Sequence, residues 1–172
     1  MKRLALTALL ACLPCAGALT QVAPGIYNQV KKDPMTDANL GAVFIREVND
    51  RDINTLFLLK CDGTGGYDFY LMTKNPLMTQ ADFDLEATPD LMYRIDTQTA
   101  RTLSTSTVFT DDDPDLTSLS FSATGDRTLF DAFWVARNKV TVRVLRRGMS
   151  ALDYVFPAKG FIEAYRKIGR CR

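Results

Sequence analysis

The plainest chemical potential in this chain lies in short acidic and glycine-rich groups. Asp111-Asp112-Asp113-Pro114-Asp115 sets four carboxylates into five positions, and hard carboxylate oxygens are the ligands that Ca²⁺ takes. The spacing of an EF-hand loop and its closing glutamate are missing. Asp111, Asp112, Asp113 and Asp115 are therefore a weak calcium candidate beside a simpler reading, a solvated turn stopped by proline. Asp62-Gly63-Thr64-Gly65-Gly66 has the composition of a phosphate cradle. A phosphate loop feeds a helix N-terminus, whereas Tyr67-Asp68-Phe69-Tyr70-Leu71 alternates as a strand does, so the glycines read as a hairpin turn.

The chain has no histidine. That removes the usual general base, the Ser-His-Asp and Cys-His arrangements, and the commonest zinc ligand. No nucleophile and base share a recognisable motif, so the chain reads as a non-enzyme, and no cofactor is implied. A pair of carboxylates acting on cell-wall or extracellular polysaccharide is the remaining enzymatic alternative, and spacing in the sequence does not place two such groups.

Positive charge is unevenly placed. From Arg137 onward ten basic residues stand against only Asp153 and Glu163. Arg143, Arg146, Arg147, Lys159, Arg166, Lys167 and Arg170 are thus candidates for an anion-binding face directed at nucleic acid, phospholipid headgroups or anionic polymer. The bland alternative is charge compensation within a folded domain: the full chain has a formal net charge of +1, and without Lys2 and Arg3 it is near −1. No nucleic-acid module accompanies the basic residues.

Met1-Lys2-Arg3, the apolar run Leu4 to Leu13 and Ala16-Gly17-Ala18 compose a secretory signal peptide over residues 1–18, with cleavage after Ala18. Leu9-Leu10-Ala11-Cys12 offers a rival, a loose lipobox with acylation at Cys12. The apolar run is too short to span a bilayer. Export to the periplasm, envelope or medium leaves Cys61 and Cys171 as an even pair, and one disulfide is expected. A loop of that size is worth about 4 to 5 kcal/mol in the chain-entropy treatment.

The elements that must position these groups are mostly strands. Val43 to Val48, Ile53 to Lys60, Tyr67 to Met72, Leu91 to Thr97, Thr102 to Phe109 and Leu119 to Ala123 are rich in β-branched and aromatic residues and bounded by turn formers. Lys139 to Arg146 alternates cleanly, with Val140, Val142 and Val144 on one face, and Ala151 to Phe156 is its hairpin partner across Arg147-Gly148-Met149-Ser150. Two short helices are predicted, one N-capped by Asp126 and running through Leu129, Phe130, Phe133 and Trp134, the other through Phe161, Ala164, Tyr165 and Ile168. Phe57, Phe69, Tyr93 and Trp134 are read as core. The expectation is a mainly β chain, with residues 19–172 forming a single antiparallel β-sandwich or distorted barrel with one or two short helices, including a C-terminal one.

The order of several motifs resembles small exported bacterial proteins of the invasion-associated locus B and type VI secretion accessory VasI type. Lys32-Asp33-Pro34-Met35-Thr36-Asp37, Leu58-Leu59-Lys60-Cys61 and Tyr93-Arg94-Ile95-Asp96 resemble three of that family's segments. Val140 to Arg143, then Phe156, Gly160, Ala164 and Cys171, resemble its closing strand, turn and cysteine-terminated helix. The chain lacks a tryptophan before Asp33, where Tyr27 stands instead. The resemblance implies a disulfide-tied sandwich that acts by binding a protein or envelope component, and it transfers no catalytic residue. Within that picture Asp37, Arg94 and Asp96 are expected to form a buried polar network, so that Arg94→Ala would cost about 3 to 5 kcal/mol.

Overall fold

Alternating apolar and polar side chains build the strands of this fold, and their apolar sides meet in one core. The computed structural model describes residues 17–171; the basic and apolar parts of the signal peptide, with Cys12, lie outside them. In chain order the strands are β1 (Thr20–Ala23), β2 (Ile26–Gln29), β3 (Ala42–Arg46), β4 (Leu56–Cys61), β5 (Tyr67–Met72), β6 (Asp90–Ile95), β7 (Arg101–Leu103), β8 (Ser106–Thr110), β9 (Asp113–Ser120), β10 (Lys139–Leu145) and β11 (Leu152–Pro157). Helix α1 (Gln80–Asp84) precedes β6, α2 (Ala123–Val135) follows β9, and α3 (Phe161–Lys167) follows β11.

All described pairings are antiparallel, and they form two sheets. The larger runs β1-β2-β3-β4-β5-β9-β8 and the smaller β11-β10-β6-β7. The chain is mainly β with no closed barrel. Register aligns the inward residues: Phe57 and Leu59 of β4 stand opposite Leu71 and Phe69 of β5, all of them fully buried. On the smaller sheet Val140, Val142 and Val144 are fully buried between Leu91, Tyr93 and Ile95 of β6 and Tyr154 and Phe156 of β11. The Phe57 and Phe156 rings meet across the two sheets with centroids 4.6 Å apart. Helix α2 adds Leu129, Ala132 and Phe133, the Phe133 ring lying 5.5 Å from Phe57. Each fully buried Val, Leu or Phe side chain among these contributes roughly 1.5 to 3 kcal/mol. Phe161, Ala164, Tyr165 and Ile168 of the C-terminal helix are buried, as their spacing predicts.

Several local expectations are corrected. The run Thr102 to Phe109 is two strands, because the chain crosses between sheets at Thr105, whose hydroxyl donates to Pro89 O at 2.6 Å. The strand expected from Ile53 starts at Leu56, since Ile53 lies at φ 58 in the preceding turn. Ser122, not Asp126, caps α2, accepting from Gly125 N, which frees the Asp126 side chain to turn into the core. Trp134 is 38% exposed on the outer side of α2, stacked on Phe130. Helix α1 is an addition to the expected elements, although Thr79 and Asp82 have the spacing of a capping box and form one.

Candidate functional site

The Cys61 and Cys171 side chains are joined as a disulfide, with Cα atoms 5.0 Å apart. It ties the end of β4 to the segment after α3, and both residues are buried. This is a structural bond, placed where α3 returns the chain to the larger sheet.

The expected buried network of Asp37, Arg94 and Asp96 does not form. Asp37 is exposed at φ 57, in a turn whose amides at Met35 and Thr36 donate to Asp33. Arg94 is exposed because Tyr93 and Ile95 take the inner face of β6. Asp96 instead accepts from three successive backbone N–H groups, those of Arg137, Asn138 and Lys139, at 2.9, 3.0 and 3.0 Å. The Arg137 and Lys139 amides hold its carboxyl below the ordinary range. Asp96 therefore fixes the passage from α2 into β10.

The basic residues do not make one face. Arg143 is engaged by Asp153, and Arg146 donates to Ser150 O and to Pro76 O at the β10–β11 hairpin. Arg147 follows it there, while Lys159, Arg166, Lys167 and Arg170 lie at the opposite end of β11, about 20 Å away at the usual strand rise. Lys167 is paired with Glu163 at 2.9 Å. The two groups are divided by the strand that joins them.

The acidic run is a hairpin. Asp111 and Asp112, at φ 50 and 70, form the two-residue turn between β8 and β9, the conformation of a type I′ turn. Asp115 turns onto Thr117, accepting from its N–H and hydroxyl. Among the described residues no three potential ligands gather into a metal site, so the calcium candidate is not assembled. The glycine-rich segment is likewise the β4–β5 turn, its Asp62 accepting from Thr64 N and Gly66 N.

What the fold assembles instead is a groove of about 580 Å³ beside β8, lined by residues including Phe83, Asp84, Glu86, Thr88, Thr107 and Phe109. Among the described residues β8 pairs only with β9 and is the outermost strand of the larger sheet. Thr110 and Asp113 close the turn as a pair, so Phe109, the next residue, stands opposite Pro114. A pair adjacent to a closing hydrogen-bonded pair is non-hydrogen-bonded, and proline has no N–H to offer there. The Phe109 backbone N–H and C=O thus face the open edge. Its ring is 58% exposed and packs edge-on against Phe83 at 5.7 Å.

The edge is acidic. Asp84 and Glu86 line the groove and Asp111, Asp112 and Asp113 stand at the hairpin tip, all exposed and none joined to a cation in an ion pair among the described residues. The edge strand of the smaller sheet is different: β11 is covered, its Val155 O accepting from Val48 N and its Val155 N donating to Glu47. β7 and β1 are three and four residues long. An uncovered strand edge flanked by an exposed aromatic side chain is equipped to add a further strand. Sequence reading missed this groove because edge status is a property of the assembled sheet; the adjacency of Phe109 to the acidic turn was its one local signal. Scans against family models, curated proteins and solved structures find no match to this chain.

Proposed function

We propose that this is an exported, non-enzymatic binding protein that holds an extended, basic segment of a partner protein along β8. The observation that carries the reading is the free edge at Phe109, set over a groove that holds the Phe83 and Phe109 rings and rimmed by carboxylates that form no ion pair among the described residues. Main-chain bonds to the edge would supply affinity, the Phe83–Phe109 groove would select apolar side chains on one face of the segment, and the acidic rim would select Lys or Arg. A second copy of β8 would bring like charges together and is the poorer occupant.

Export is part of the proposal. The disulfide is compatible with an oxidising compartment, and no helix among the described residues is long and apolar enough to cross a membrane. β1 opens at Thr20, directly after the mature N-terminus expected at Leu19. Kinship with the exported proteins of the locus B and VasI type belongs to the same proposal, on the ordered motifs between Lys32 and Cys171.

Fluorescence anisotropy with eight-residue peptides that alternate apolar residues with Lys, with Glu or with Gln tests the binding reading. The Lys series should bind best and weaken as salt rises. N-methylation of alternate peptide amides should weaken binding by at least about tenfold, through lost main-chain bonds. Equal binding of the Lys and Glu series, or indifference to N-methylation, would overturn it.

A further inference from the structure

We infer that the outer face of the smaller sheet carries a second, separate binding site, for a compact ligand that presents a carboxylate to Arg94. The register builds it. On β10 Thr141 stands opposite Arg94 of β6, and Arg143 stands opposite both Met92 of β6 and Asp153 of β11. Because Val140, Val142 and Val144 occupy the inner face, these neighbours all project outward. With Ala100 they line a depression of about 280 Å³.

The two arginines are in different states. Arg143 donates Nε and Nη2 to the two oxygens of Asp153 at 2.6 and 2.7 Å, a two-pronged pair that neutralises it and fixes its plane. Arg94, diagonal to it across the same pleat, has neither an ion pair nor a hydrogen bond to its guanidinium among the described residues. Thr141, between them, is half-buried, and its Oγ1 is closed to solvent. A free planar fork of donors at the wall of such a depression is a receptor for a planar oxyanion.

Charge narrows the class. Two guanidiniums and one carboxylate leave one net positive charge on this face, which matches a monoanionic carboxylate better than a phosphate monoester, whose charge near neutrality is about −1.5 to −2. Met92 and Ala100 give the depression an apolar side, so the carboxylate should sit on a small hydrocarbon body. The volume lies near the lower limit of small-molecule sites, about 300 Å³, which excludes a long polymer lying wholly within it. The site is on the sheet opposite to β8 and stands whether or not that edge binds peptide.

The test is titration of the full mature protein with acetate, butyrate, benzoate and inorganic phosphate at matched ionic strength, following the Arg94 Nε–Hε resonance by nuclear magnetic resonance. Butyrate or benzoate should shift it saturably and bind more tightly than acetate, with phosphate weaker. Arg94→Gln should weaken binding by at least about tenfold. Arg94→Lys, which keeps the charge and loses the fork, should fall between the native protein and Arg94→Gln. Lys167→Gln on α3 should bind as the native protein does. The absence of a saturable shift, equal binding by Arg94→Gln, or a preference for phosphate would overturn the inference. Melting each variant first separates a lost site from a lost fold, and the order of the ligands on the native protein carries the test if the Arg94 variants fail to fold.

Discussion

Replacing Asp126 with asparagine should stabilise this protein above pH 6 and leave its stability nearly unchanged near pH 4. Asp126 lies in the first turn of α2, 5% exposed, and its Oδ1 accepts from Phe69 N at 2.9 Å. Burial pushes its carboxyl from 3.8 up to about 6, with the neighbouring Asp68 charge adding and the Phe69 amide opposing. Between those two values the folded chain holds a proton that the unfolded chain has released. Stability contributed by this group is thus fully present below about 3.8 and lost as pH rises through about 6. Each pH unit across that interval costs about 1.36 kcal/mol, so the full loss is on the order of 3 kcal/mol. Asparagine never ionises and keeps an oxygen for Phe69 N. Asp126→Asn should therefore exceed the native protein by about 1 to 3 kcal/mol at pH 7.5, the lower bound allowing for accommodation of its NH₂ group. Urea unfolding of both proteins at pH 4, 5, 6 and 7.5 reads the difference directly. Asp126→Ala, which strips the acceptor from Phe69 N, should gain less at pH 7.5 and lose about 1 to 3 kcal/mol at pH 4. A gap between Asp126→Asn and native that is the same at pH 4 and pH 7.5, or a native protein that is the more stable at pH 7.5, would refute the reasoning.

Removing the disulfide by Cys61→Ala with Cys171→Ala should cost about 2 to 5 kcal/mol, measured by urea unfolding. Asp96→Ala should lower the urea midpoint at pH 7 by releasing the three amides of Arg137, Asn138 and Lys139, and that difference should fade as pH falls through the depressed pKa of Asp96. Gly160→Ala should destabilise by roughly 1 kcal/mol or more, because Gly160 sits at φ 107 and an added Cβ would meet Ala23 Cβ at 2.5 Å. Arg94→Ala should change stability by no more than about 0.5 kcal/mol, as expected for an exposed side chain without partners among the described residues; thermal melting checks both.

The larger pattern of this fold is readable because it is written locally. Val140, Val142 and Val144 alternate with Thr141 and Arg143, and Phe161, Ala164, Tyr165 and Ile168 repeat at helical spacing, so burial follows from period alone. The Cys61–Cys171 bond follows from an even pair and a compartment rule. What local pattern misses depends on pairing at a distance. Charge in apolar surroundings groups Asp37, Arg94 and Asp96, yet the alternation that buries Tyr93 and Ile95 also turns Arg94 outward, and the three amides that Asp96 holds come from 41 to 43 residues away. The basic C-terminal residues are near one another in sequence and separated in space because β11 runs between them. The candidate groove is least legible of all, since Phe83 and Phe109 meet only after β9 has joined the larger sheet and α1 has packed against it.

The measurement that bears most directly on the account is amide hydrogen exchange at Phe109 in the mature protein, with and without a saturating lysine-rich alternating peptide. Addition of a strand along β8 predicts strong slowing at Phe109, whose N–H otherwise faces the open edge, with little change at Val155 on the covered β11 edge. Unchanged exchange at Phe109 in the saturated complex would contradict it.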